Sequence, residues 1–281
     1  MSSSDVFLTN DFENGSLGSW RLESPKSSAI QVSSAESRGG NKSLQFTLNQ
    51  SDPIVNNGKR AEIKQPYTAP GTEQWYGFSL FLPDNFVSDR EREIVAQWHS
   101  KADTALGEGL PGAPPLALHT INGEWQLLRR WDSKPITEKH KPEGSQNIDL
   151  GQYQTGEWTD WVFHVKWSHK SDGLVEVWKD GKLVVRETGP NTYNDQIGPN
   201  FKLGIYKPGW RDRAENSSVR QRTLFVDEVR LADQDATFAD VDPATHAGRK
   251  PGTSSQAPLQ PLPDTNADTN APTRTTSQNC R

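Results

Sequence analysis

Apolar and polar residues alternate with a period of two along most of the chain, the spacing of strands with one face buried. The clearest run has Trp161, Phe163, Val165 and Trp167 on one face and Val162, His164 and Lys166 on the other. Similar patterns predict strands at Val6–Leu8, Ser27–Ser34, Ser43–Leu48, Arg60–Lys64, Trp75–Leu82, Phe201–Tyr206 and Thr223–Leu231. Asn122-Gly123 joins Leu116–Ile121 to Glu124–Trp131, and Asp180-Gly181 joins Leu174–Lys179 to Lys182–Glu187. Both dipeptides favour two-residue hairpin turns. Residues 101–115 and 132–146 read as long loops, and helical periodicity is nearly absent. The prediction is an all-β fold over 1–248, a two-sheet antiparallel jelly roll or concanavalin-like sandwich. From residue 249 to 281 the chain is rich in Pro, Thr, Ser and Asn, which predicts a disordered tail.

Three segments share an unusual design. Ile94–His99 would place Val95, Gln97 and His99 on one face, with Ile94, Ala96 and Trp98 on the other. Arg60–Lys64 places Arg60, Glu62 and Lys64 opposite Ala61 and Ile63. Phe201–Tyr206 places Lys202, Gly204 and Tyr206 opposite Phe201, Leu203 and Ile205. Each would bury one apolar face and present one polar face. As neighbours in one sheet they would gather Arg, Gln, His, Tyr and Lys on a single concave surface.

Composition narrows the partners. The net charge is −5, and without the tail 27 basic residues face 34 acidic ones. That argues against nucleic acid as a partner, although a locally positive cleft could still hold a polyanion. No apolar run is long enough to span a membrane. The single Cys280 excludes a disulfide framework. The N-terminus lacks a signal peptide, so a secreted or periplasmic location would need a signal that is not in this sequence. A monomer is expected.

The polar set matches no metal cluster and no nucleophile elbow. A glycosidase needs two opposed carboxylates, and only Glu62 offers itself. The set does suit β-elimination from a uronic acid polymer. There the proton on carbon 5 is poorly acidic, and the adjacent carboxylate must be neutralised before charge can develop on it. Arg60 and Gln97 can donate hydrogen bonds to that carboxylate. His99, if neutral, or Tyr206, if its pKa is lowered by Arg60 and nearby lysines, can take the proton. Tyr206 is the natural acid for the leaving oxygen. No cofactor is required. The alternatives are a lectin-like binding module and a jelly-roll glycoside hydrolase.

Arg60-Ala61-Glu62-Ile63, Gln97-Trp98-His99 and Phe201-Lys202-Leu203-Gly204-Ile205-Tyr206 resemble, in order and type, three motifs of jelly-roll alginate lyases. The wider pattern from Phe12 to Leu231 is similar to the heparin lyase I and glucuronan lyase group. The resemblance implies a polysaccharide lyase with Arg60, Gln97, His99 and Tyr206 as catalytic residues and an anionic polysaccharide as substrate: glucuronan, alginate or a heparin-like chain. Lys64, His119, Arg129, Lys202, Lys207 and Trp210 are the candidate substrate contacts. Asp11, Glu13 and Asp227 lie where such folds hold a structural calcium, for which oxygen ligands are suited.

Overall fold

The computed structural model describes residues 5–109, 112–138 and 141–247. The expected tail, together with the last residue of the predicted domain, lies outside them. Two antiparallel sheets face each other. One has eight strands in the order β13 (Lys182–Thr188), β12 (Leu174–Lys179), β11 (Glu157–Lys166), β6 (Glu73–Leu82), β15 (Gln221–Asp233), β4 (Ser43–Asn49) and β3 (Ile30–Ser33), and β1 (Val6–Asn10) also pairs with β15. The other has seven strands: β10 (Gly144–Gln152), β9 (Glu124–Trp131), β8 (Leu116–Ile121), β7 (Glu93–His99), β14 (Asn200–Tyr206), β5 (Arg60–Tyr67) and β2 (Arg21–Glu23). The all-β jelly-roll expectation holds.

The space between the sheets is filled by aromatic rings. Trp98 is fully buried, 4.7 Å from Phe163 and 4.9 Å from Phe201 between ring centroids. Trp125, Trp161 and Trp167 are buried with them. Both predicted hairpins form, with Asn122, Gly123, Asp180 and Gly181 all at positive φ, as a turn matched to strand twist requires. The short helices α2 (Phe238–Val241) and α3 (Pro243–Ala247) pack on the eight-stranded sheet. A Cβ on Gly77 would lie 1.8 Å from the Val241 carbonyl oxygen, so only glycine lets α2 lie that close.

One strand departs from the alternation read in the sequence, and its neighbour β14 carries the matching irregularity. The pairing of β7 with β8 shifts between Ile94 and Ala96, a bulge that reverses the facing of the residues before it. Val95 therefore joins the core, and Ile94 pairs with Tyr206 on the opposite face. In β14, Gly204 has φ 135°, and a Cβ there would meet the Ala61 carbonyl oxygen at 2.3 Å. This glycine marks the matching irregularity between Leu203 and Tyr206. Among the described residues, no helix is long and apolar enough to cross a membrane.

Candidate active site

Strands β7, β14 and β5 are neighbours at the middle of the seven-stranded sheet. Lys202 pairs with Gln97 on one side and Lys64 on the other, while Tyr206 pairs with Arg60. With Ala61, Ile63, Leu203 and Ile205 in the core, period-two geometry turns Arg60, Glu62, Lys64, Lys202 and Tyr206 outward together. Gln97 and His99 join them, since Trp98 between them points inward. The expected gathering of Arg60, Gln97, His99 and Tyr206 on one sheet face is observed.

This outer face is not an ordinary solvated surface. Arg60 and Lys202 are each 5% exposed, Glu62 2% and Gln97 0%. Long polar side chains are rarely buried that far unless paired, and here they pair with each other. Glu62 receives hydrogen bonds from both Arg60 (3.0 Å) and the Gln97 side-chain amide, so one carboxylate ties the guanidinium to the amide. The Arg60 guanidinium also lies 4.1 Å from the centroid of the Tyr206 ring. Glu23, on edge strand β2, accepts hydrogen bonds from Lys202 (2.8 Å) and Lys64 and sits 3.6 Å from Arg60. Burial pushes the Glu23 carboxyl up, but Lys202 and Lys64 outweigh it and hold it at about 2. Sequence reasoning missed Glu23, because a three-residue polar edge strand has no periodicity to read.

The two titrating groups have opposite characters. His99 is held down to about 4, first by burial and then by the charge of Lys202, with Arg60 adding to it. Its ring is therefore neutral at neutral pH. Nδ1 lies 2.8 Å from the Ser100 carbonyl oxygen, and a neutral ring can make that contact only by donating from Nδ1. Nε2 then carries the free lone pair, the form a general base needs. Tyr206 is raised above the ordinary phenol value, because burial and Glu62 outweigh the pull of Arg60. It stays a hydroxyl, the form a general acid needs, and the expected lowering does not occur. Gly58 closes the wall beside it: a Cβ there would lie 2.6 Å from Tyr206 Cε2 and 3.0 Å from Arg60 Nη2.

The candidate substrate contacts divide. Lys64 and Lys202 lie on the outer face, both held by Glu23. His119 also lies there, buried, with Nε2 3.2 Å from Gln126 Oε1. Arg129 does not. It shares a face with the core residue Leu116 and turns to the other sheet, where it meets Glu187 at 3.2 Å. Lys207 is fully buried, 2.6 Å from Asp89 and 3.5 Å from Glu93, with Arg222 closing the cluster 2.7 Å from Glu93. It follows Tyr206 directly and so points to the opposite side. Trp210, on α1 (Gly209–Asp212), is buried in the core rather than presented to a sugar.

The carboxylates expected to hold calcium are engaged separately. Asp227 Oδ2 accepts the backbone N–H groups of Arg38 (2.7 Å) and Gly39 (3.2 Å). Glu13 Oε1 accepts those of Asn41 (2.8 Å) and Lys42 (2.6 Å), and Asp11 accepts that of Glu13. Asp227 and Glu13 fasten the 36–42 turn, and Asp11 closes a turn within its own loop. Among the described residues, no three His, Cys, Asp or Glu side chains group as metal ligands.

Comparison with known proteins gives this arrangement a family. The polysaccharide lyase family model matches residues 12–230, which include every residue of the outer-face cluster. The chain belongs to the polysaccharide lyase family. No curated protein matches this lyase in sequence. Among solved structures, it is similar to an endo-β-1,4-glucuronan lyase from the fungus Trichoderma reesei, with 22% identity, a TM-score of 0.71 and coverage of 85% of this chain and 98% of that one. It is also similar to the family 7 alginate lyase A1-II' at 11% identity and TM-score 0.57, covering 80% of this chain and 99% of that one. Alginate lyase Aly36B gives 13% and 0.53, covering 81% and 96%. At these identities the structural likeness concerns the fold.

Proposed function

We propose that this lyase cleaves a uronate-containing polysaccharide by β-elimination, with a β-1,4-linked glucuronan as the first substrate to test. The observation that carries the reading is a neutral His99 and a protonated Tyr206 rising from the same sheet face as the linked Arg60–Glu62–Gln97 group. The substrate carboxylate lies against Arg60 and Gln97, whose hydrogen bonds strengthen as negative charge develops on it. His99 Nε2 takes the proton from carbon 5. The electron pair forms the double bond between carbons 4 and 5, the bond from carbon 4 to its glycosidic oxygen breaks, and Tyr206 protonates that oxygen. In a D-glucuronate ring the departing proton and oxygen lie on one face, so a base and an acid from a single sheet floor suit it. A polymer of this kind is met outside the cytoplasm, which accords with a secreted or periplasmic enzyme.

The test is ultraviolet absorbance of the unsaturated product on a panel of polyuronates. A hydrolase would release reducing ends without absorbance, and a lectin-like module would release neither. Tyr206→Phe keeps the ring and removes the hydroxyl, and should lower the rate by about 100- to 10,000-fold with the fold intact. A variant that kept most of the wild-type rate would sink the assignment. His99→Gln separates the two proton routes: near-total loss if His99 is the base, partial loss if Tyr206 serves as both base and acid.

A further inference from the structure

The cations around the catalytic residues are largely neutralised where they stand. Arg60, Lys64 and Lys202 are met by Glu23 and Glu62. Across β7, toward β8 and β9, the outer face differs. Arg92 precedes β7 by one residue and lies two before the outward-facing Ile94, which pairs with His119. Arg130, on β9, shares the outer side with Leu128 and Gln126. In register between the catalytic strand and β9 lies Ala117, opposite Gln97 on one side and Leu128 on the other. Ala117 and Leu128 are both buried, so the groups a ligand can reach at this end of the face are the partly exposed Arg92 and Arg130.

Neither arginine has a carboxylate within ion-pair distance among the described residues. Arg92 Nε is buried with no hydrogen-bond partner. Arg130 donates to the Pro114 carbonyl oxygen at 2.9 Å. Burial pushes both guanidiniums below their ordinary range; Glu91 partly offsets this for Arg92, and Arg92 itself adds to the push on Arg130. His119 is held at about 4 by burial and then by the charge of Arg92, with Arg130 contributing. The three groups therefore share one electrostatic neighbourhood. Two half-buried cations that repel each other and form no ion pair are costly to the free protein. An entering anion would remove that cost.

We infer that Arg92 and Arg130 bind a second carboxylate of the same polysaccharide chain, beyond the unit being cleaved on the β8–β9 side. This rests on the polyuronate reading above. Two strand spacings, roughly 10 Å, separate Gln97 from Arg130, so only a chain of several units reaches both. The arginines set affinity and the direction in which the chain lies, and leave the chemical step alone.

The experiment compares wild type with Arg92→Gln, Arg130→Gln and the double variant on glucuronan. KM should rise about tenfold for each arginine lost, the scale of one charge-assisted hydrogen bond, with kcat within about twofold. The dependence of affinity on salt should flatten in the double variant. Its melting temperature should hold or rise, because a repulsion is removed; a merely structural pair would lower it. A double variant with wild-type KM and salt dependence overturns the inference while the elimination activity stands. If wild type eliminates no polyuronate, the functional reading has failed, and calorimetric binding of a β-1,4-glucuronate tetrasaccharide then judges the subsite alone. Affinity that is equal in wild type and the double variant, or absent in wild type, overturns it.

Discussion

The acid limb of the pH profile is the sharpest check on His99. An ordinary imidazole titrates near 6.5, whereas this one is held at about 4, first by burial and then by Lys202. Keeping the ring neutral to that point amounts to a bias of about 3 kcal/mol against its charged form. For a base, a depressed pKa extends activity downward in pH: it is competent wherever it is unprotonated. The kcat/KM of the free enzyme should therefore be flat from about pH 7 to about pH 5 and fall only below that. The limb of kcat should lie higher, because bound substrate carboxylates favour the imidazolium. The stability sign runs the same way. In this range the unfolded chain binds protons that folded His99 and His119 refuse, since both are held at about 4. Stability from these groups is thus complete above about 6.5 and drains away toward 4. Initial rates by product absorbance, with tryptophan fluorescence at each pH to confirm folding, separate the two effects. A kcat/KM that halves between about pH 5.5 and 7 while fluorescence stays native would show that His99 is not the base, or that its ring is not held neutral.

Three further outcomes follow from the geometry. Lys207→Met should leave Asp89 as a buried charge without its cation, Glu93 keeping Arg222, and cost about 3–5 kcal/mol in denaturant unfolding, with KM unchanged at low temperature. A raised KM with unaltered stability would instead restore Lys207 as a substrate contact. Gly58→Ala should displace the Tyr206 ring and lower kcat about tenfold with little effect on melting. An unchanged kcat would mean the ring position is not critical. Gln97→Ala should lower kcat by about 100-fold or more through lost stabilisation of developing charge; a change confined to KM would assign Gln97 to ground-state binding.

The alternation of β5 and β14 was fully legible, because their inward residues are uniformly apolar and their outward ones uniformly polar. In β7 it was legible only from Ala96 onward. Ile94 and Val95 are equally apolar, so nothing in their chemistry announces a bulge that exchanges their faces. Strands β2 and β10 escaped notice because edge strands bury little and so carry no enforced pattern. Arg129, Lys207 and Trp210 were misplaced for another reason. Cations beside a polar face look alike in sequence, and their destinations are fixed by partners such as Asp89 and Glu187, which are distant in the chain. The same limit hid Arg92 and Arg130, whose interest lies in the ion pairs they do not make.

Glu23 places the charge balance of the outer face on its shortest strand. The three residues of β2 pair only with β5, and short edge strands open at small free-energy cost. A polyanion lying on this face would compete with Glu23 for Lys64 and Lys202, so each bound chain would weaken the attachment of β2. Occupancy should then speed amide exchange at Leu22 and Glu23, although ligands ordinarily slow exchange around them. By reciprocity, variants that loosen β2 should bind polyuronate more tightly, so the edge of the sheet acts as a removable counter-ion whose docking and the substrate's are mutually exclusive in part.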